Sequence, residues 1–135
     1  SSGSLRVGLA NIAEPVNENV FSEDVPLTTL ENLLRSEGIE RVDLIKMDVE
    51  GAEALVLSGA EYVFKDLRPV WYVEVDDDRA TAFGNSANAL FQKFFDGGYR
   101  AFVIDNEDNL LEVFSHFATA DYLFIHHRSE LLKTM

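Results

Sequence analysis

Apolar side chains first fall into a clear rhythm near residue 30, where Leu30, Leu33 and Leu34 share one face behind Thr28 and Glu31, which have capping-box spacing. With Gly38 as a stop, this predicts a short helix from about Thr29 to Glu37. Val42 to Val49 is a nearly continuous apolar run broken by Lys46, the signature of a strand buried on both faces. Ala52, Leu55, Val56, Gly59, Ala60, Val63, Phe64 and Leu67 then recur at steps of three and four until Pro69, which reads as one amphipathic helix. Val70 to Val75 is dense in β-branched and aromatic residues and predicts a second strand. A further helix places Ala87, Leu90, Phe91, Phe94 and Phe95 on one face and ends at Gly97 and Gly98. Tyr99 to Ile104 is a third strand. The polar stretch Asp105 to Asn109 turns the chain, Leu110 to Phe114 extends a hairpin, and Tyr122 to His127 is a last strand.

Strands alternating with connections of helical length imply an α/β fold with mostly parallel strands and right-handed crossovers, and the short polar turn implies a terminal antiparallel pair. The first 27 residues show little periodicity and are expected to be irregular, with one short strand near Leu5 to Leu9. Residues 28–135 are expected to form a single α/β domain. Because the first residue is Ser1 rather than methionine, further residues are expected upstream.

Composition narrows the function classes. The 135 residues are 47% hydrophobic, enough for one core. Acidic residues outnumber basic ones 24 to 11, a formal charge of -13 that repels phosphate backbones and argues against nucleic acid as a partner. An acidic surface imitating DNA is the lesser alternative. The absence of cysteine excludes disulfides, thiolate metal sites and a cysteine nucleophile. No window approaches the roughly 20 apolar residues of a spanning helix, and the opening has no leader-like run, so a soluble cytoplasmic protein without a membrane partner is expected.

In an open parallel sheet, ligands collect beyond the carboxyl ends of the strands. Here those ends carry acids: Asp48, Glu50, Gly51 and Glu53 after one strand, and Glu74 followed by Asp76, Asp77 and Asp78 at the next. Asp48 has an alternative reading as a helix cap, with Glu50 and Glu53 favouring the helix dipole. Glu74 interrupts an apolar run, so it must either meet a buried donor or lie exposed at the sheet's edge. Asp76 to Asp78 read more readily as solvated surface than as ligand-binding acids. Asp48, Glu74 and Asp76 could also offer oxygen ligands to magnesium or calcium, but their spacing matches no recognised loop and no metal is assigned. His116, His126 and His127 form no zinc pattern and read as surface or strand-end residues.

The segments VPLTTLENLL, VDLIKMDVEGAEALVLSGA and RPVWYVEV resemble the FkbM family of S-adenosylmethionine-dependent methyltransferases, the block IKMDVEGAE with LSGA and a later P-x-x-x-x-E being the specific part. Weaker similarity continues through Gly98, Tyr99 and the closing DYLFI. The resemblance implies the carboxyl half of a doubly wound, Rossmann-like class I methyltransferase sheet, mostly parallel, with Val42 to Val49 as its fourth strand. It also implies O-methylation of a hydroxyl on a sugar or natural-product acceptor. Asp48 matches the acidic residue lining the family's acceptor side, and Glu50, Glu53 and Glu74 match its neighbours; with the strand-end reading, Asp48 and Glu74 are expected to be catalytic and Glu50, Gly51, Glu53 and Asp76 substrate-binding.

The family's glycine-rich turn after the first strand, and the acid that holds the ribose after the second, have no counterpart here. The chain alone is therefore expected to bind S-adenosylmethionine weakly or not at all, and its cofactor-binding residues are unassigned. Methyl transfer is an in-line displacement accelerated mainly by holding the acceptor oxygen close behind the methyl carbon, with Asp48 as hydrogen-bond partner or base and Glu74 orienting. The alternative is a non-catalytic α/β module for interaction or oligomerisation. Metal-assisted hydrolysis by the same acids ranks below both. Without a first strand beside it, strand 42–49 would expose a parallel edge, which predicts either a homodimer through that edge or its coverage by Leu5 to Ala13.

Overall fold

The computed structural model describes residues 4–6 and 22–133. Its organising element is a five-stranded sheet in the order β3 (Leu44–Met47), β4 (Val70–Val75), β7 (Ala120–His126), β5 (Tyr99–Ile104) and β6 (Leu110–Val113). β3 and β4 are parallel, with Met47 opposite Val73. β7 lies between β4 and β5 and is antiparallel to both, so β5 runs in the direction of β4 without pairing with it. β6 closes an antiparallel hairpin on β5.

The expected mostly parallel sheet is thus corrected to a mixed one, in which the single parallel pair is β3 with β4. The cause is the last strand. Tyr122, Phe124, Ile125 and His126 are all buried, and an apolar strand of this kind is accommodated where it has hydrogen-bonding neighbours on both sides. The turn of the hairpin follows from Asp105, whose carboxylate accepts backbone N–H bonds from Glu107 at 2.8 Å and Asn109 at 2.9 Å.

Alternation sorts the strand residues. Trp71, Val73 and Val75 of β4, Tyr99 and Ala101 of β5, and Tyr122 and Phe124 of β7 enter one core with the apolar face of α4 (Ala87–Asp96). Phe94 stacks on Phe124 with ring centroids 3.8 Å apart, and Phe91 meets Tyr122 edge-on at 4.8 Å. Tyr72 and Glu74 point to the opposite face.

The helix predicted from Thr29 is α1 (Leu30–Ser36). Its cap is Thr29, which accepts from the Asn32 amide at 3.1 Å, one residue later than the Thr28 spacing suggests. The Glu31 carboxylate instead accepts from the Tyr62 amide.

The long helix predicted over Ala52 to Leu67 is two pieces. α2 (Glu53–Ser58) stops at Gly59, against which Thr29 packs. The chain then restarts and closes in a π-helical turn over Val63–Leu67. There the Arg68 amide donates to Val63 O at 2.9 Å, which frees Phe64 O to accept from the Tyr99 hydroxyl at 2.7 Å. Another helix, α3 (Asp77–Ala82), occupies the stretch expected to be solvated acids and loop.

The amino-terminal region holds β1 (Ser4–Arg6), which pairs antiparallel with β2 (Asp24–Pro26). The predicted strand near Leu5 is therefore present up to Arg6, and its remainder lies outside the described residues. Leu5 lies opposite Val25 rather than along β3, so β1 does not cover that strand; residues 7–13 lie outside the description. Among the described residues the outer edge of β3 is unpaired. A short helix, α5 (Glu130–Lys133), ends the description, and no described helix is long and apolar enough to cross a membrane.

Candidate functional site

The parallel register decides where the acids meet. Because Met47 lies opposite Val73, Asp48 leaves the end of β3 beside Glu74 on β4. Asp48, Glu50, Gly51, Glu53, Glu74 and Asp76 line one cavity of about 120 Å³, with Arg79 from α3 as the cation on its wall. All six predicted site residues are therefore brought together.

Asp48 is exposed, and α2 begins only at Glu53, with Ala52 at the cap position and no side-chain cap, so the capping alternative for Asp48 is set aside. Glu74 is exposed on a strand inside the sheet rather than at its edge. It sits in an apolar strand without penalty because water reaches it. Asp76 does not stand free in solvent. It caps α3, accepting from the amides of Asp78 at 3.0 Å and Arg79 at 3.4 Å. Asp77 holds the start of α4 through the Ala87 amide at 2.8 Å.

Two loops lock this arrangement. Glu50 has φ +50° and Gly51 has φ +104°, a bend that turns the chain back toward α3. The Glu50 carboxylate pairs with the Arg79 guanidinium at 3.3 Å. Gly51 packs so closely on the α3 backbone that an added Cβ would lie 2.2 Å from Arg79 O. Only glycine permits that approach at that φ.

Glu53 differs from the other acids. It is 4% exposed and accepts from the Gly51 amide at 3.3 Å. Burial raises its carboxyl pKa above the usual 4.5, the charges of Asp48 and Glu74 push the same way, and the backbone hydrogen bonds oppose them. The site thus joins one buried carboxyl with a raised pKa to two exposed acids.

Arg79 and Glu53's burial went unseen in the sequence. The signal for Arg79 was present: three acids after a strand, followed by Arg79 and Ala80, are the first turn of a helix with its own cap. Glu53's burial depends on the close approach of α3, which no local pattern reports.

The histidines divide. His126 is buried rather than on the surface, at the end of the sheet remote from the acids. Burial first, then Arg68 and its neighbours, lower its pKa to about 4. His127 is exposed and stacks on it at 4.6 Å. His116 is the one near the site's end of the sheet, its Nε2 lying 3.3 Å from Val75 O. Among the described residues no three acids or histidines are grouped to hold a metal ion.

Nor do the described residues fit S-adenosylmethionine. A cavity of about 120 Å³ is below the roughly 300 Å³ at which small-molecule pockets begin. The Gly51 amide is already engaged by Glu53, so no free glycine turn faces the space. The larger hollows, about 610 and 500 Å³, flank α1, away from the acids. Size favours them and chemistry does not, because a reacting centre needs the convergent acids.

The family model for the methyltransferase FkbM domain matches residues 3–101, well over half of the chain. No curated protein and no solved structure matches.

Proposed function

The chain belongs to the FkbM methyltransferase family, and we propose that it provides the acceptor side of O-methylation, binding a hydroxyl of a sugar or natural-product acceptor between β3 and β4. The observation that carries this is the meeting of Asp48 and Glu74 at the ends of two parallel strands, backed by buried Glu53. On this reading the sheet is the carboxyl half of a doubly wound methyltransferase sheet. The parallel β3–β4 pair and the common direction of β4 and β5 support it.

Each residue then has a task. Asp48, exposed at the end of β3, accepts the hydrogen bond of the acceptor hydroxyl and takes its proton as the oxygen becomes nucleophilic. Glu74 approaches from the neighbouring strand and fixes the hydroxyl's direction. Glu53 stands behind the pair, its carboxyl oxygen accepting from the Gly51 amide and holding the bend that follows β3. Arg79 and Gly51 keep the two loops in register, and Asp76 anchors α3. The family's methyl donor is S-adenosylmethionine. Since the described residues do not form its seat, no step is assigned to it here.

In a full-length family member that also carries the donor's seat, the change equivalent to Asp48→Asn tests the reading in methyl transfer followed with labelled donor. Loss of the proton acceptor should lower turnover by about 10²-fold while the melting temperature stays within a degree or two, because Asp48 is exposed. Unchanged turnover would remove Asp48 from the mechanism. The misfit to the cofactor favours a second reading, a non-catalytic module associating through the open β3 edge. It predicts protein-concentration-dependent mass in light scattering and no methyl transfer under any condition.

A further inference from the structure

We propose that a second hollow, of about 350 Å³ between the carboxyl end of β5 and the amino end of β7, seats an apolar ring of the acceptor. This assignment rests on the acceptor-side reading above. Its wall includes Tyr72, Ile104, Phe117 and Leu123. Phe117 is 63% exposed and Ile104 51%, so two large apolar side chains face water around one concavity. The polar element in it is a built pair: the Tyr72 hydroxyl donates to the Asp121 carboxylate at 3.2 Å. An aromatic and aliphatic wall with one fixed polar pair is the composition that holds small organic ligands.

What connects this hollow to the acids is the sheet itself. Asp121 of β7 lies directly opposite Glu74 of β4, and Tyr72 lies two residues before Glu74 on the same face. Two strand residues span about 6.8 Å. A molecule resting an apolar ring beside Tyr72 and Phe117 therefore reaches the acid site with a group about one ring further on. The occupant follows from this geometry. It is a neutral molecule with one apolar ring and a hydroxyl-bearing group next to it, since Asp121 and Glu74 disfavour an anion there.

Phenyl β-D-glucopyranoside carries both features, and methyl β-D-glucopyranoside lacks the ring. Followed by NMR on the methyl groups of Ile104 and Leu123, the phenyl glycoside should shift both saturably and bind about tenfold tighter than the methyl glycoside. Phe117→Ala should remove that advantage, and Phe117→Tyr, which keeps the ring, should retain it. Equal affinities, shifts confined to other residues, or undiminished binding by Phe117→Ala would overturn the seat. Shifts that follow protein concentration instead of ligand would assign the hollow to a second copy of the chain and overturn it as well. Ring binding is read without methyl transfer, so binding as expected, with turnover unchanged by the change equivalent to Asp48→Asn in a full-length family member, would sink the chemistry of Asp48 alone. Turnover without ring binding would sink this seat alone.

Discussion

Gly51→Ala is the sharpest structural perturbation of the acid site. Two costs arise. At φ +104° a residue with a Cβ is strained by about 1–3 kcal/mol. The new methyl would also lie 2.2 Å from Arg79 O and 2.5 Å from the Arg79 carbonyl carbon. Those are backbone atoms of α3 and cannot step aside as a side-chain tip could, so the overlap adds about 1–3 kcal/mol. The combined loss is about 2–6 kcal/mol.

Gly84→Ala supplies the control. Gly84 has φ +75° and nothing within 4 Å of an added Cβ, so it carries backbone strain alone, about 1–2 kcal/mol. Urea unfolding followed by the fluorescence of Trp71, which is fully buried, reads both. With a denaturant slope of about 1–3 kcal/mol/M, the Gly51 midpoint should fall below the Gly84 midpoint by about 1 M or more. Equal midpoints would refute the close approach of the two loops, and with it the geometry that buries Glu53.

Glu53→Gln should stabilise the protein at pH 7–8. Its folded pKa is raised, so above that value the native state holds a buried carboxylate, and below about 4.5 the group is protonated in both states and the cost is gone. The gain should therefore shrink as pH falls through the raised pKa; melts showing the same gain at pH 4 and pH 8 would contradict this. Tyr99→Phe should cost about 1–3 kcal/mol, because it leaves the Trp71 indole N–H, 3.2 Å from the lost hydroxyl, and Phe64 O without partners. A loss under about 0.5 kcal/mol in denaturant titration would mean that the π-helical turn does not depend on that hydroxyl.

Much of the fold was legible because the core is written in short local patterns. Val70 to Val75 and Tyr99 to Ile104 are found as predicted, since their β-branched and aromatic runs have one stable use. Periodicity over Ala52 to Leu67 was real yet misleading. The apolar phase continues through Gly59 and Ala60, but the backbone breaks there because α1 packs on Gly59, a tertiary contact outside the window. β7 was found as a strand, but its place between β4 and β5 was not, because pairing partners are not encoded within a segment.

The acid site was legible in its residues and not in its depth. Reading the strand ends brought Asp48 and Glu74 to one place, and the structure sets them side by side. Which acid is buried is set by α3, whose first turn looked like a solvated run of aspartates. Arg79 entered the site for the same reason. The ring seat beside Phe117 depends on the β7 insertion and had no sequence signal.

On the proposed reading this chain carries the acceptor side of the family's site, and its described residues do not seat the donor. Calorimetric titration of the chain with S-adenosylhomocysteine tests it most directly. The account predicts no saturable heat at micromolar concentrations of the chain. A stoichiometric isotherm with micromolar affinity would show that the cofactor is gripped within these residues and would contradict it.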